Sequence, residues 1–373
     1  MTEESKILEK IYINQNTVLS FGSNDLCQLG LGDNTNRNTP TKILDIFAKS
    51  VSCGSEHTVI IDMNNEVWSF GYNTYSQLGL GDDINRNTPT KIPNIIAKSV
   101  SSGGFHTVII DMNNEVWLFG WNNMGQLGLG DNINRNTPTK IPSIKRRVAY
   151  AATFNIIAKS VSCGGYHTVI IDMNNEVWSF GVNIFGQLGL GDNIHRNTPT
   201  KIPNIVAKSI SCGDDHTVII DMNNEVWSFG YNNYGELGLG DNIKRNTPTK
   251  IPNIIAKSVS CGENYTVIID MNNEVWSFGR NNTGQLGLGD NIRRNTPIKI
   301  PNIIAKSVSC SAQHTVIIDM NNEVWSFGYN EYGQLGLGDN INRNIPTKIP
   351  NIIAKSVSCG SFHTVIITRI KNI

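Results

Sequence analysis

Residues 48–96 read AKSVSCGSEHTVIIDMNNEVWSFGYNTYSQLGLGDDINRNTPTKIPNII, and this stretch decides the fold because it recurs. The pentapeptide LGLGD starts at Leu29, Leu78, Leu127, Leu188, Leu237, Leu286 and Leu335, so the chain carries seven copies spaced 49 residues apart, with one spacing lengthened by a 12-residue insertion at 143–154. A fixed period of this size marks a repeat architecture. Gly and Asn punctuate the unit into four short strands: AKSVSC, HTVIID, EVWSFG and TPTKI. Met63-Asn64-Asn65 is the tight turn between the second and third, since Asn tolerates the positive φ such a turn requires. The consecutive run Val59-Ile60-Ile61 predicts a sheet buried on both faces. The fourth strand lies between Pro89 and Pro93 and carries Lys91, features of an outer edge protected against pairing with other molecules.

Seven such antiparallel sheets around an axis predict an all-β fold, a seven-bladed β-propeller of four-stranded blades forming one domain over residues 1–373. The ends support this arrangement. The chain enters at Ile11 in the register of a second strand and stops after AKSVSCGSFHTVII, residues 354–367. The last blade then takes two strands from each terminus. Ile11–Ile13 and Val365–Ile367 compete for one position, and the C-terminal copy is expected to hold it.

The chain has 31 basic and 31 acidic residues. Zero net charge without a basic stripe argues against chromatin or nucleic acid as the partner. The N-terminus lacks the apolar core of a secretory signal, and no run of 18 apolar residues exists to span a membrane. Six of the seven Cys occupy one repeat position (53, 163, 212, 261, 310 and 359), badly placed to pair; buried thiols in a reducing, intracellular compartment are expected. That compartment is the cytoplasm or nucleus, of a host cell if the chain comes from a parasite or virus. No close Cys pairs suggest a metal.

The elements CG-x-x-HT, EVWSFG and GQLGLGD together resemble the repeats of the regulator of chromosome condensation family, from Ile11 to Ile367. The resemblance implies a propeller and offers several roles: guanine-nucleotide exchange on the small GTPase Ran, ubiquitin-ligase adaptor, trafficking factor or scaffold. The exchange factor's irregular wedge loop is replaced here by a uniform GLGD-x-x-x-RN, which departs from that branch. The Gly-Trp-Arg-His-Thr motif of the light-sensing branch is absent.

Comparing the copies with one another locates a candidate site. They are nearly identical in HTVIIDMNNEVWSFG and differ in three places: after FG, between CG and HT, and before RN. All three belong to the first-to-second and third-to-fourth loops, which leave a blade on one face. Eight of the ten Tyr fall in or beside these clusters. Exposed loop aromatics with scattered charge suit a protein-binding surface. Its candidate residues are Tyr72, Tyr75, Phe105, Trp121, Met124, Tyr166, Phe185, Asp214, Asp215, Tyr231, Tyr234, Glu236, Arg280, Tyr329, Tyr332 and Phe362. Asp214, Asp215, Glu236 and Glu263, with Lys244, Arg280 and Arg293, form a mixed-sign patch on two neighbouring blades.

The repeated His of HTVI is expected to make a structural hydrogen bond, because Tyr265 replaces it in one copy. The six Trp of EVW are expected in the core. The GLGD glycines lack the strand-to-helix context of a phosphate loop. No catalytic constellation, cofactor site or metal site is expected. The insertion carries Lys145, Arg146, Arg147 and Tyr150 on a linker expected on the opposite face, where a surface loop absorbs extra length at small entropic cost. The expected protein is a monomeric, non-enzymatic interaction propeller. It is either an exchange factor or regulator of a small GTPase, or a scaffold or adaptor without exchange activity.

Overall fold

The computed structural model describes residues 16–142, 144–145, 153–154 and 156–369. Among them there are strands and turns and no helix, as the repeat predicts. In the unit quoted above, Ala48–Cys53 pairs with His57–Asp62, which pairs with Glu66–Gly71, which pairs in turn with the start of Arg86–Ser102. The turn between second and third strands has a local cause. Asp62 Oδ1 accepts the amides of Asn64 and Glu66 at 2.8 and 2.9 Å, and Asn65 adopts a φ of 64°. Asn114, Asn175, Asn224, Asn273 and Asn322 repeat this conformation.

One expectation needs correction. The fourth strand does not end before the next first strand begins. Arg37–Cys53, Arg86–Ser102, Arg196–Cys212, Arg245–Cys261, Arg294–Cys310 and Arg343–Cys359 each run 17 residues without a break. The chain changes sheet while extended, by turning at one residue of positive φ: Asp45, Asn94, Asn204, Asn253, Asn302 or Asn351. The ladder shows the bend as a bulge, with Trp68 opposite Lys91 but Glu66 opposite Ile96. Such a bulge re-aims a strand without unpairing it. Only the insertion splits the strand, into Arg135–Lys140 and Ala158–Cys163. Within it Ile144–Lys145 pairs with Thr153–Phe154, a short hairpin; Arg146, Arg147 and Tyr150 lie outside the described residues.

The apolar run of the second strand is buried on both faces. Val59 and Ile61 pack with Ile109 and Phe119 of the following repeat, whereas Ile60 packs with Phe70, Val18 and Val365 on the other side. All of these are fully buried. The tryptophans are the second correction. Trp178 is buried, but Trp68, Trp117, Trp227, Trp276 and Trp325 are half-buried at the margin of the clusters. Each indole N–H needs an acceptor and finds the turn aspartate: Trp68 Nε1 donates to Asp62 Oδ2 at 3.0 Å.

The repeated His confirms its structural reading. His57 Nε2 lies 2.9 Å from Thr107 Oγ1 of the next repeat, and the same contact joins His106 to Thr168, His167 to Thr217, His216 to Thr266 and His314 to Thr364. Tyr265 reaches Thr315 with its hydroxyl, and His363 returns to Thr58, where the series began. Each of these Thr hydroxyls donates its single proton to a backbone carbonyl, as Thr107 does to Gln77 at 2.9 Å. The His must therefore donate from Nε2. Its ring is fully buried, and desolvation pushes the pKa of His57 down to about 3. At the chain ends, Thr17–Gly22 pairs with His363–Thr368 on one side and Arg37–Cys53 on the other. The C-terminal copy thus occupies the second-strand position; Ile11–Ile13 lies outside the described residues. All seven cysteines are free and buried.

Candidate protein-binding face

Backbone hydrogen bonds bring the two variable loops of every repeat together. The residue after FG donates its amide to the residue before the His: Tyr72 to Glu56, Trp121 to Phe105, Val182 to Tyr166, Tyr231 to Asp215, Arg280 to Asn264 and Tyr329 to Gln313, each at 2.9 Å. Ser23 closes the series by donating to Phe362 at 2.8 Å. The third-to-fourth loop is held by its own repeat-wide network. Asn73 caps Leu78, and Arg86 pairs with Asp82 at 2.5 Å, a pairing found in all seven repeats. With the loops so fixed, their tips are displayed on a rigid frame.

The aromatic residues separated by about 50 in sequence then meet. Tyr75 and Phe105 have ring centroids 5.1 Å apart, Tyr75 and Trp121 6.0 Å, and Trp121 and Tyr166 5.1 Å. Tyr72 joins through Tyr75 and Phe105. Five rings from three consecutive repeats thus make one continuous patch, with Met124 exposed beside it. Phe185, Tyr231 and Tyr234 make a second group, 4.7 and 6.4 Å apart in sequence order. Tyr329, Tyr332 and Phe362 make a third. The rings are mostly half-buried, with Tyr75 at 37% exposure, so they are held by one another while presenting a face. Each edge-to-face pair contributes roughly 0.5–1.5 kcal/mol beyond its buried area. Tyr265 stands apart from all of them, fully buried in the His position.

The charged candidates occupy two different environments. Glu236 stands where the other repeats have Gln and is completely buried, so it is not a contact residue. Its Oε2 accepts the amide of Tyr234 at 2.8 Å, as the Gln oxygen does elsewhere, but its Oε1 has no partner. Burial lifts its pKa to about 7, with a smaller push from Asp215. Asp215 accepts from Gln187 Nε2 at 2.8 Å, and burial followed by the charge of Glu263 raises it to about 6. Asp214 is exposed by surface area yet crowded by protein on every side, because it hangs in the mouth of a channel. That enclosure, then Glu263 and Asp215, lift it to about 7. Nearby cations are few. Arg280 comes only to 3.9 Å from Glu263 and lies 5.5 Å from the Tyr234 ring centre, and Lys244 sits 5.9 Å from that of Phe185.

The channel is formed where the first strands of all seven repeats end. It is a cavity of about 100 Å³ lined by residues such as Cys53, Gly213 and Gly360, with Asp214 and Glu263 at its wall. Glycine stands there in six repeats and Ser311 in the seventh; a Cβ at Gly213 would fall 2.2 Å from the His216 ring and 2.4 Å from the Gly262 carbonyl. Sequence comparison did not separate one further role. Asn85, Asn134, Asn342 and His195 accept a backbone amide of their own loop, as His195 Nδ1 does from Asn183 at 2.9 Å. Lys244 and Arg293 at that position have no acceptor to offer. Among the described residues no group of three or more His, Cys, Asp or Glu is disposed to hold a metal ion.

The pattern of the Regulator of chromosome condensation (RCC1) repeat matches residues 15–61, 64–110, 113–171, 174–220, 223–269, 272–318 and 321–367. The chain belongs to the RCC1-repeat family. A search of curated protein sequences found no match. By fold, this RCC1-repeat chain is similar to human WBSCR16, with a TM-score of 0.82 at 21% identity, covering 95% of this chain and 98% of that one. It is equally similar to yeast RCC1 (Prp20) bound to Kap60, with a TM-score of 0.83 at 22% identity, covering 98% and 92%. Prp20p from Saccharomyces cerevisiae, described with its binding properties to Gsp1p and histones, gives a TM-score of 0.83 at 22% identity, covering 96% and 92%. These likenesses establish a seven-repeat RCC1 propeller fold.

Proposed function

We propose that this chain is an intracellular, non-enzymatic interaction module: a closed ring of seven four-stranded blades whose aromatic face docks a protein partner. The observation that carries the reading is the five-ring patch of Tyr72, Tyr75, Phe105, Trp121 and Tyr166. Half-buried aromatics on rigid loops supply large contact area at low entropic cost, the composition of interface hot spots. A small GTPase is the first partner to test, because the family includes exchange factors and Prp20p is described as binding Gsp1p. The second reading, a scaffold or adaptor without exchange activity, draws on the loops. All seven third-to-fourth loops keep the same Asp–Arg pair, so none departs as a wedge.

The test is release of a fluorescent guanine nucleotide from a panel of small GTPases, Ran included, with and without the protein. Acceleration of one member, lost in Trp121→Ala/Tyr231→Ala, supports the exchange-factor reading. No acceleration across the panel removes it and leaves the scaffold.

A further inference from the structure

The face opposite the aromatic patch has a chemistry of its own. In an antiparallel blade, the turn between second and third strands and the bend from outer to inner strand both leave at the end away from the variable loops. A repeated hydrogen bond ties these two elements together. Lys98 Nζ, just past the bend, donates to Oδ1 of Asn114 in the turn at 2.7 Å. Six more lysines do the same, from Lys49 with Asn65 at 2.6 Å to Lys355 with Asn16 at 3.3 Å. All seven are exposed, and the acceptor in each bond is a neutral amide. Arg369 joins them, 3.0 Å from Asn322 Oδ1. The carboxylates of this face are engaged elsewhere. Asp111 is half-buried and accepts the amides of Asn113 and Glu115 and the indole N–H of Trp117. Glu115 pairs with Lys140, as the five glutamates at its position in other repeats pair with their lysines. Among the described residues, the outermost charge on this face is therefore positive. Each cation has apolar company. Ile96 lies two residues before Lys98 on the same exposed side of the strand, and Met112 lies in the turn that Lys98 reaches; both are 53% exposed. Val206, Ile255 and Ile304 repeat the first position at 46–53% exposure, and the six turn methionines stand at 49–54%.

We infer that this second face docks on an anionic phospholipid bilayer. The inference rests on the closed ring proposed above and is independent of what the aromatic face binds. In that ring the seven units lie in one plane across the axis, and a bilayer is a plane that meets all of them at once. Lysine stems lie along apolar surface while their ammonium groups reach phosphate and carboxylate headgroups. The Met and Ile side chains beside them leave water for the boundary between headgroups and acyl chains. Each contact is weak alone, and seven on one rigid frame act together. The apolar share separates lipid from nucleic acid. A polynucleotide meets the lysines through its phosphates, and single strands stack their bases on aromatic rings, but neither offers a hydrocarbon phase to half-exposed Met and Ile. Zero net charge conceals the polarity of the molecule. The variable loops of the other face carry eight acidic residues against three basic ones, Lys244, Arg280 and Arg293, so an anionic surface repels that face and attracts this one.

The test is flotation of the full chain with vesicles of phosphatidylcholine alone and of phosphatidylcholine mixed with about one-third phosphatidylserine. Partition onto the anionic vesicles is expected to be about tenfold stronger or more, and to weaken as salt is added. Lys98→Gln/Lys208→Gln/Lys257→Gln changes exposed side chains only, so it folds; it should weaken partition by about fivefold per lysine. Met112→Gln/Met222→Gln/Met271→Gln should weaken it by about tenfold in all and remove the part that survives high salt. Equal partition onto both vesicles, or onto neither, would overturn the inference. So would random-sequence duplex RNA bound as tightly as anionic vesicles, together with a methionine variant that binds vesicles as well as the parent; the face would then be a general anion binder. Small-angle X-ray scattering reads the closed ring separately, and nucleotide release judges the aromatic face, so failure here is distinguished from failure of either.

Discussion

Lowering the pH from 6.5 to 5.5 should remove much of the stability of this fold, because six His rings are buried in the neutral state. His57, His106, His216, His314 and His363 are pushed down to about 3, and His167 to about 4, in each case mainly by burial. In the unfolded chain each titrates near 6.5. Between these values the unfolded state binds more protons than the folded one, so stability is present above pH 6.5 and is lost as pH falls toward 3. Each ring loses about 1 kcal/mol across this single pH unit, hence about 6 kcal/mol for six. Three carboxyls oppose the change. Glu236 and Asp214, with folded values of about 7, and Asp215, at about 6, lie above a free carboxyl, so protonation relieves them by about 2–3 kcal/mol together in the same interval, Asp214 counting for less because its side chain is open to solvent. The net loss of about 3–4 kcal/mol compares with total stabilities of about 5–15 kcal/mol for folded domains. Urea unfolding at pH 7.5, 6.5 and 5.5, followed by tryptophan fluorescence and circular dichroism together, measures it. A midpoint that moves by less than about 1 kcal/mol equivalent between pH 6.5 and 5.5 would refute the neutral-ring account. Substituting His216→Tyr, after the pattern of Tyr265, should reduce the loss by about 1 kcal/mol.

Glu236→Gln should stabilise the protein by about 1–2 kcal/mol at pH 8, where the carboxylate is charged without a partner, and hardly at all at pH 5; paired urea titrations check both. Thr107→Val leaves the His57 Nε2 donor buried without an acceptor and should cost about 1–3 kcal/mol, read as a lower denaturation midpoint. Ile60→Ala opens a cavity between two repeats and should cost about 2–5 kcal/mol by the same measurement. Trp121→Ala should lower affinity for the face's partner by about 2 kcal/mol or more, with a melting temperature nearly unchanged, as titration calorimetry and thermal unfolding would show.

Much of the fold is legible in one 49-residue copy, because its causes are local. The turn at Asn65 needs only Asp62 and a tolerated positive φ, and the second strand's burial is written in Val59-Ile60-Ile61. The Trp positions misled because a large apolar residue in a strand reads as core, whereas its N–H ties it to the turn Asp at the margin. The continuous outer-to-inner strand was hidden by Pro93, which punctuates the sequence but sits comfortably in extended chain beside the bend at Asn94.

The candidate face was half legible. Internal comparison singled out loops that the structure joins by backbone hydrogen bonds, since residues excused from packing are free to differ. It did not distinguish Glu236, which varies like a surface residue and is fully buried, from Tyr75, which varies and is exposed. By itself the sequence determined the period, the strands, the turns and the side on which variation gathers, all set by interactions within about 50 residues of chain. Only the tertiary structure decided which rings touch, which His meets which Thr and which carboxyl loses its partner. Those contacts join neighbouring repeats, and the burial and charge that set their chemistry come from atoms far away along the chain.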